Sequence, residues 1–250
     1  MLNKTNLEDP RYYEKIDDLV SRYKEAESPL MKLADYAGTQ IESVMTKLPD
    51  GLETQIQTVI SESLEAAYNT SNYIGSSRYT PNMPGYFHKA AATISGAIGG
   101  VAGLPGAVIE LPVTITTMFA AFQKIAQEYE FDPNEKEIKA ECIRVFSMGG
   151  PISLDEDKDL SFLTARIGLQ GEAVTQLITK VAHKLGMVIS QKLASQAIPI
   201  VGAVTGATIN YAFISYYEEM AHIRFNLKKL QSEYPSLNTY QDFAAHYVQI

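Results

Sequence analysis

The chain has 250 residues, with 21 Lys and Arg against 29 Asp and Glu, a formal charge of -8 and a pI of about 5.1; that balance excludes the basic footprint of a nucleic-acid binder. A hydrophobic fraction of 46% excludes a disordered chain, and a mean hydropathy of -0.09 excludes one embedded in a membrane from end to end. The single cysteine, Cys142, leaves no internal disulfide and no cysteine-based zinc site.

The first ten residues have no apolar core and are not expected to act as a secretory signal, which points to the cytoplasm. Residues 1–29 read as an N-terminal extension. In Leu30, Leu33, Ala37, Ile41, Val44 and Leu48 the apolar residues recur at helical spacing. Leu52, Ile56, Val59, Ile60, Leu64 and Ala67 repeat the pattern after Pro49 and Asp50, so two amphipathic helices are predicted. Turn formers collect over 69–86 and predict a long loop.

Two uncharged runs follow. Residues 90–123 hold one formal charge, Glu110, and residues 193–217 hold none. Each is as long as the roughly 20 residues of a membrane-spanning helix. Each is also rich in Gly, Thr and Ser, so insertion in lipid and burial in a protein core both stay open. Gly96/Gly100, Gly99/Gly103 and Gly202/Gly206 form G-x-x-x-G pairs, which let helix backbones approach closely. Pro105, Pro112 and Pro199 predict broken helices or helical hairpins. Each run leads into a helix ending in Glu-Tyr before a proline, Glu128-Tyr129 with Pro133 and Glu233-Tyr234-Pro235. The landmarks lie 103 to 105 residues apart and suggest an internal repeat.

Between the runs, Asp132-Pro133 is expected to start a helix with Ile138, Cys142, Val145 and Phe146 on one face. Residues 155–159 read as an acidic solvated loop. Over 172–192, Leu177, Val181, Leu185 and Val188 form an apolar stripe while Lys180, Lys184 and Lys192 face elsewhere. Such a helix suits an anionic membrane surface, or a bundle with a solvated lysine face. Asn238-Thr-Tyr-Gln241 predicts a capped start to a final helix over 236–250. Val113 to Thr117 is β-prone but lies within a helix-length run, where context overrides propensity. The fold expected is all-α, a single helical domain over 30–235 with two glycine-rich apolar central helices or hairpins surrounded by amphipathic helices.

No nucleotide-binding loop, dinucleotide fingerprint or serine nucleophile elbow occurs in the chain. Glu219-Met-Ala-His222 has di-iron spacing but no second copy, so no metal and no cofactor are expected. Cys142 reads as core. Tyr211, Phe213, Tyr216 and Tyr217 read as core aromatics or as a girdle at a membrane interface. Glu110 and Asn210 stand out as polar groups in apolar surroundings, suited to a structural or a functional role.

Gly99-Gly-Val-Ala-Gly-Leu-Pro-Gly106, Glu110-Leu-Pro112, Ile198-Pro-Ile-Val-Gly-Ala-Val-Thr-Gly-Ala-Thr-Ile-Asn210, Ala221-His-Ile-Arg-Phe225 and Lys47-Leu-Pro49 together resemble the EcsC family over residues 30–235. Glu110 stands where that family usually has aspartate. The resemblance implies membrane association and a part in secretion or envelope physiology, since the family takes its name from an operon encoding an ABC transporter. It implies no reaction and no catalytic residues. The leading expectation is a non-enzymatic protein engaging membrane lipid or a membrane protein through Lys180, Lys184, Lys192 and the glycine-rich runs, able to insert conditionally. A soluble interaction or immunity-type protein without lipid contact is the second reading. An enzyme acting on lipid or envelope material through Glu110 is the third. The oligomeric state stays open.

Overall fold

The computed structural model describes residues 9–45, 49–70, 103–148, 173–197 and 206–249. Among these residues there are seven helices and no strand, so the fold is all-α. Of the loop expected over 69–86, Asn69 is the last residue of α2 and Thr70 its cap. The rest of it, the acidic stretch at 155–159, Pro199 and the glycines Gly96, Gly99, Gly100 and Gly202 lie outside the described residues.

Helix α1, Pro10–Met45, opens on a capped turn. Asp9 Oδ1 accepts the Arg11 backbone N–H at 3.0 Å, and Pro10 takes the first helical position, where its missing donor is not needed. Tyr12, Ile16, Leu19, Val20 and Tyr23 are buried on one side. The helix runs on through Ser28-Pro29, so the expected boundary at 29/30 falls inside it. Helix α2, Leu52–Asn69, follows Gly51, whose φ of 80° is a left-handed conformation that glycine adopts without strain. Its expected stripe is the buried one, from Leu52 through Ile56, Ile60 and Leu64 to Ala67.

Helix α3, Gly103–Glu128, runs on through Pro105 and Pro112, where a broken helix or hairpin is expected from the sequence. A proline near the start of a helix gives up few backbone bonds, and the following apolar turns are held in the core. The β-prone Val113 to Thr117 are helical as expected. It closes on a Schellman turn: Glu130 N–H donates to Gln127 O at 3.0 Å, and Phe131 N–H to Ala126 O at 3.0 Å. Glu130 takes the left-handed position with φ 70°, a place glycine usually fills. Helix α4, Lys136–Val145, begins later than expected. Asp132 Oδ1 accepts the Asn134 N–H at 2.9 Å and so shapes a turn rather than capping the helix. Gln123 Nε2 donates to Pro133 O at 2.9 Å and ties that turn to α3.

Helix α5, Val174–Ala197, buries Leu177, Val181, Leu185 and Val188, as its stripe predicts. Helix α6, Gly206–Glu233, carries Phe213, Tyr216 and Tyr217 into the core, so these aromatics form no interface girdle. Helix α7, Thr239–Gln249, is capped by Asn238, whose Oδ1 accepts the Gln241 N–H at 3.3 Å. Of the uncharged run at 193–217, residues 193–197 end α5 and residues 206–217 begin α6. Among the described residues no helix is long and apolar enough to cross a membrane.

One hydrophobic cluster contains side chains from all seven helices. Helix α2 packs on α5 and α3, α1 packs on α6, α5 and α7, and the short α4 touches α2, α3, α5 and α6. The α2–α5 contact is close at Gly186, where an added Cβ would stand 2.6 Å from Gln57 Cγ. Alanine in a helix interior gains roughly 0.5–1 kcal/mol over glycine, and overpacking costs roughly 1–3 kcal/mol. Gly186→Ala is therefore expected to destabilise the wild type by about 1 kcal/mol yet to stabilise a Gln57→Ala background. Urea unfolding of the four proteins checks this; a destabilisation of equal size in both backgrounds would place the strain elsewhere.

Candidate functional site

Because α4 is small and surrounded, the charged residues beyond its first turn are buried along with its apolar ones, while Lys136 and Glu137 at its start stay exposed. Lys139, Glu141 and Arg144 are each at most 5% exposed. Lys139 Nζ donates to Thr70 O and, at 3.4 Å, to Tyr68 O, placing a cation on the carbonyls at the end of α2. Glu141 accepts from Arg144 Nη1 at 3.0 Å on one oxygen and from Arg224 Nε at 2.6 Å on the other. Arg224, on α6, is fully buried, with its guanidinium 4.9 Å from the Tyr240 ring centroid. Burial pushes the Glu141 carboxyl up, and the two guanidiniums more than reverse that, so it lies below the ordinary glutamate value of 4.5. The same pair works the other way on Arg224: burial lowers it and Glu141 raises it, for a net rise. Cys142 beside them is a thiol held well above its usual range by burial and by the Glu141 charge, a core residue as expected.

One turn away on α6 lies a second polar group, half-buried between α1, α3 and α6. Arg22 meets Glu219 Oε1 through Nε at 2.7 Å and Nη2 at 2.6 Å. Tyr129 OH is 3.4 Å from His222 Nδ1. Burial lowers His222, against the pull of Glu128 and Glu219, so the ring is neutral at pH 7. The Glu219 carboxylate of the Glu-x-x-His pair is thus taken by a guanidinium. Among the described residues no three His, Cys, Asp or Glu side chains gather as metal ligands would. A third set joins α1 to the C-terminal helices: Tyr12 to Asp242 at 2.6 Å, Tyr234 to Asp9 at 3.0 Å and Tyr247 to Glu27 at 3.0 Å. His246 adds a contact to Asp17 at 2.7 Å.

The residues singled out from the sequence sit apart from these clusters. Lys180 is exposed and Lys184 half-buried on α5, while Lys192 lies in the same helix with its side chain outside the description. Glu110 falls in α3 and Asn210 in α6; both side chains are also outside the described ones. Gly103 and Gly206 are the first residues of α3 and α6. The lysines are therefore brought together by one helix, and Glu110 and Asn210 lie on two others. The outward side of α5 holds Lys180, His183 and Met187, all exposed, and the helix contains no acidic residue.

Glu141, Arg144 and Arg224 escaped the sequence reading for a physical reason. A ten-residue helix with one apolar stripe suggests a solvated opposite face, and only packing on four sides makes that face interior. A signal was present in Ala221-His-Ile-Arg-Phe225, where a guanidinium stands between residues that are themselves buried.

The profile of the EcsC protein family matches residues 15–230. No curated protein and no solved structure matches the chain.

Removing the charge of Glu141 leaves two guanidiniums buried without their counter-ion. Glu141→Gln is expected to cost about 3–5 kcal/mol at pH 7. A carboxylate lowered in the folded state contributes its stability above the ordinary value of 4.5, and that share is lost as pH falls through the folded value. The gap between wild type and variant in urea unfolding should therefore narrow as pH drops below 4.5. A gap constant from neutral pH into strong acid would show that the charge is not what the arginines need.

Proposed function

The chain belongs to the EcsC protein family, and we propose that it is a non-enzymatic, membrane-associated helical protein that engages anionic lipid through the lysine-bearing side of α5. The observation that carries this is the charge of that helix. In a chain of net charge -8, Val174–Ala197 holds Lys180, Lys184, Lys192 and His183 and no acid. Its apolar stripe is already used on the core, so its outward side meets the surroundings with basic groups. Juxtamembrane lysines contribute about 1 kcal/mol each near an anionic surface and lose effect within a Debye length. The glycine-rich runs around Gly96 to Gly103 and Gly202 to Gly206 supply the conditional part of the proposal, insertion into the bilayer.

Co-flotation with vesicles tests the reading. Binding to phosphatidylglycerol-containing vesicles, reversed by salt and absent on neutral vesicles, is the expected result. Lys180→Gln with Lys184→Gln should weaken it roughly 30-fold. Salt-resistant binding would instead point to insertion of the 90–123 and 193–217 runs. Binding to no vesicle under any salt would overturn the proposal in favour of an interaction protein without lipid contact.

A further inference from the structure

Helix α5 cannot offer lipid both of its sides at once. Leu177, Val181, Leu185 and Val188 are buried, and at Gly186 the backbone lies directly against Gln57 of α2. Prying this side loose would expose the centre of the core. A contact made by the folded protein must then use the outward side, where Lys180, His183 and Met187 occupy positions i, i+3 and i+7 of a single stripe. Met187 is 40% exposed, one of three large hydrophobic side chains so exposed among the described residues; the others are Val113 at 66% and Val248 at 48%.

Charge separates the three. The charged residue nearest Val113 in sequence is Glu110, and the helix that carries Val248 contains no Lys or Arg. Met187 has basic groups near it on its stripe, with His183 about one turn away and Lys180 two turns away, about 10 Å along the axis, whereas the lysine of the Val113 helix, Lys124, lies three turns off, about 16 Å. A helix lying in a membrane interface pairs cations at the phosphate level with an apolar group a few ångströms deeper. Methionine suits that place because its thioether chain is flexible and apolar.

We propose that Met187 is the residue that enters the bilayer. Helix α5 lies on an anionic lipid surface with Lys180, His183 and Lys184 among the phosphates and Met187 among the upper acyl chains, its apolar stripe still seated on α2. This rests on the lipid-binding reading above and adds to it the orientation of the protein and the side chain that crosses the headgroup layer.

The chain contains no tryptophan, so one introduced indole reports from one place. The variants are Val113→Trp, Met187→Trp and Val248→Trp, each in the full chain and mixed with phosphatidylglycerol-containing vesicles whose lipids are brominated high on the acyl chain. The expected result is a blue shift and bromine quenching for Met187→Trp and neither for the other two. Met187→Ser should lower vesicle partitioning roughly three- to tenfold while leaving the unfolding midpoint unchanged, since the position is exposed. Co-flotation with an unquenched Met187→Trp indole, or quenching at 113 or 248 instead, overturns the inference and leaves lysine-mediated binding standing. Failure of the unsubstituted protein to co-float overturns both.

Discussion

Glu141 stands between two arginines in the interior, and the packing of four helices turns on how that charge is answered. A lone carboxylate there would take up a proton, and lone guanidiniums would draw in water or unfold the site. Together they close a contact between α4 and α6 that apolar side chains alone would leave free to slide. Arg224 reaches Glu141 across 83 residues of sequence, so the bond exists only when α6 has come home against α4. Tyr23 and Tyr216 then donate to the same carbonyl, Met148 O, at 3.1 and 3.0 Å, and bring α1 to the place where α4 ends. A buried ion pair contributes little net stability over a well-packed apolar substitute, and its better-attested role is fixing register.

The same economy appears at the junction of the chain's two described ends. Tyr12, Tyr234 and Tyr247 each give a hydroxyl to a carboxylate distant in sequence. Their rings lie in or against the core while their hydroxyls reach acceptors at its edge, so apolar burial and a directed bond come from one side chain. This seam also bears on the repeat suggested by the sequence. Helix α6 begins 103 residues after α3 and ends 105 after it, and a short helix follows each. The two halves differ in what their closing tyrosine does: Tyr129 turns to His222 within the bundle, and Tyr234 to Asp9 at the start of α1.

Legibility in the sequence followed how local each feature is. The stripes of α2 and α5, the helical state of Val113 to Thr117 and the cap at Asn238 depend on neighbours within a turn or two, and all were readable. The start of α4 was misplaced because an Asx turn and a helix cap use the same residue type. Burial of Glu141 and Arg144 was not readable, because a helix packed on four sides gives no period that a one-sided amphipathic helix would not also give. Gly186 has no glycine partner four residues away to mark it in the sequence. A close approach needs only one, and whether it occurs depends on the residue opposite, here Gln57.

That close approach limits the ways in which the proposed lipid contact could be made. A helix carrying both an apolar stripe and lysines suggests, on its own, that the stripe faces lipid. Once the stripe is seated on α2 with no room for a Cβ at Gly186, peeling α5 away forfeits the burial of at least four large side chains, each contributing about 1.5–3 kcal/mol. Against that stand the few kcal/mol that three lysines draw from an anionic surface. The balance favours leaving the helix docked, so contact through α5 is contact by the folded protein. Under the proposal, any deeper insertion would need segments other than this one.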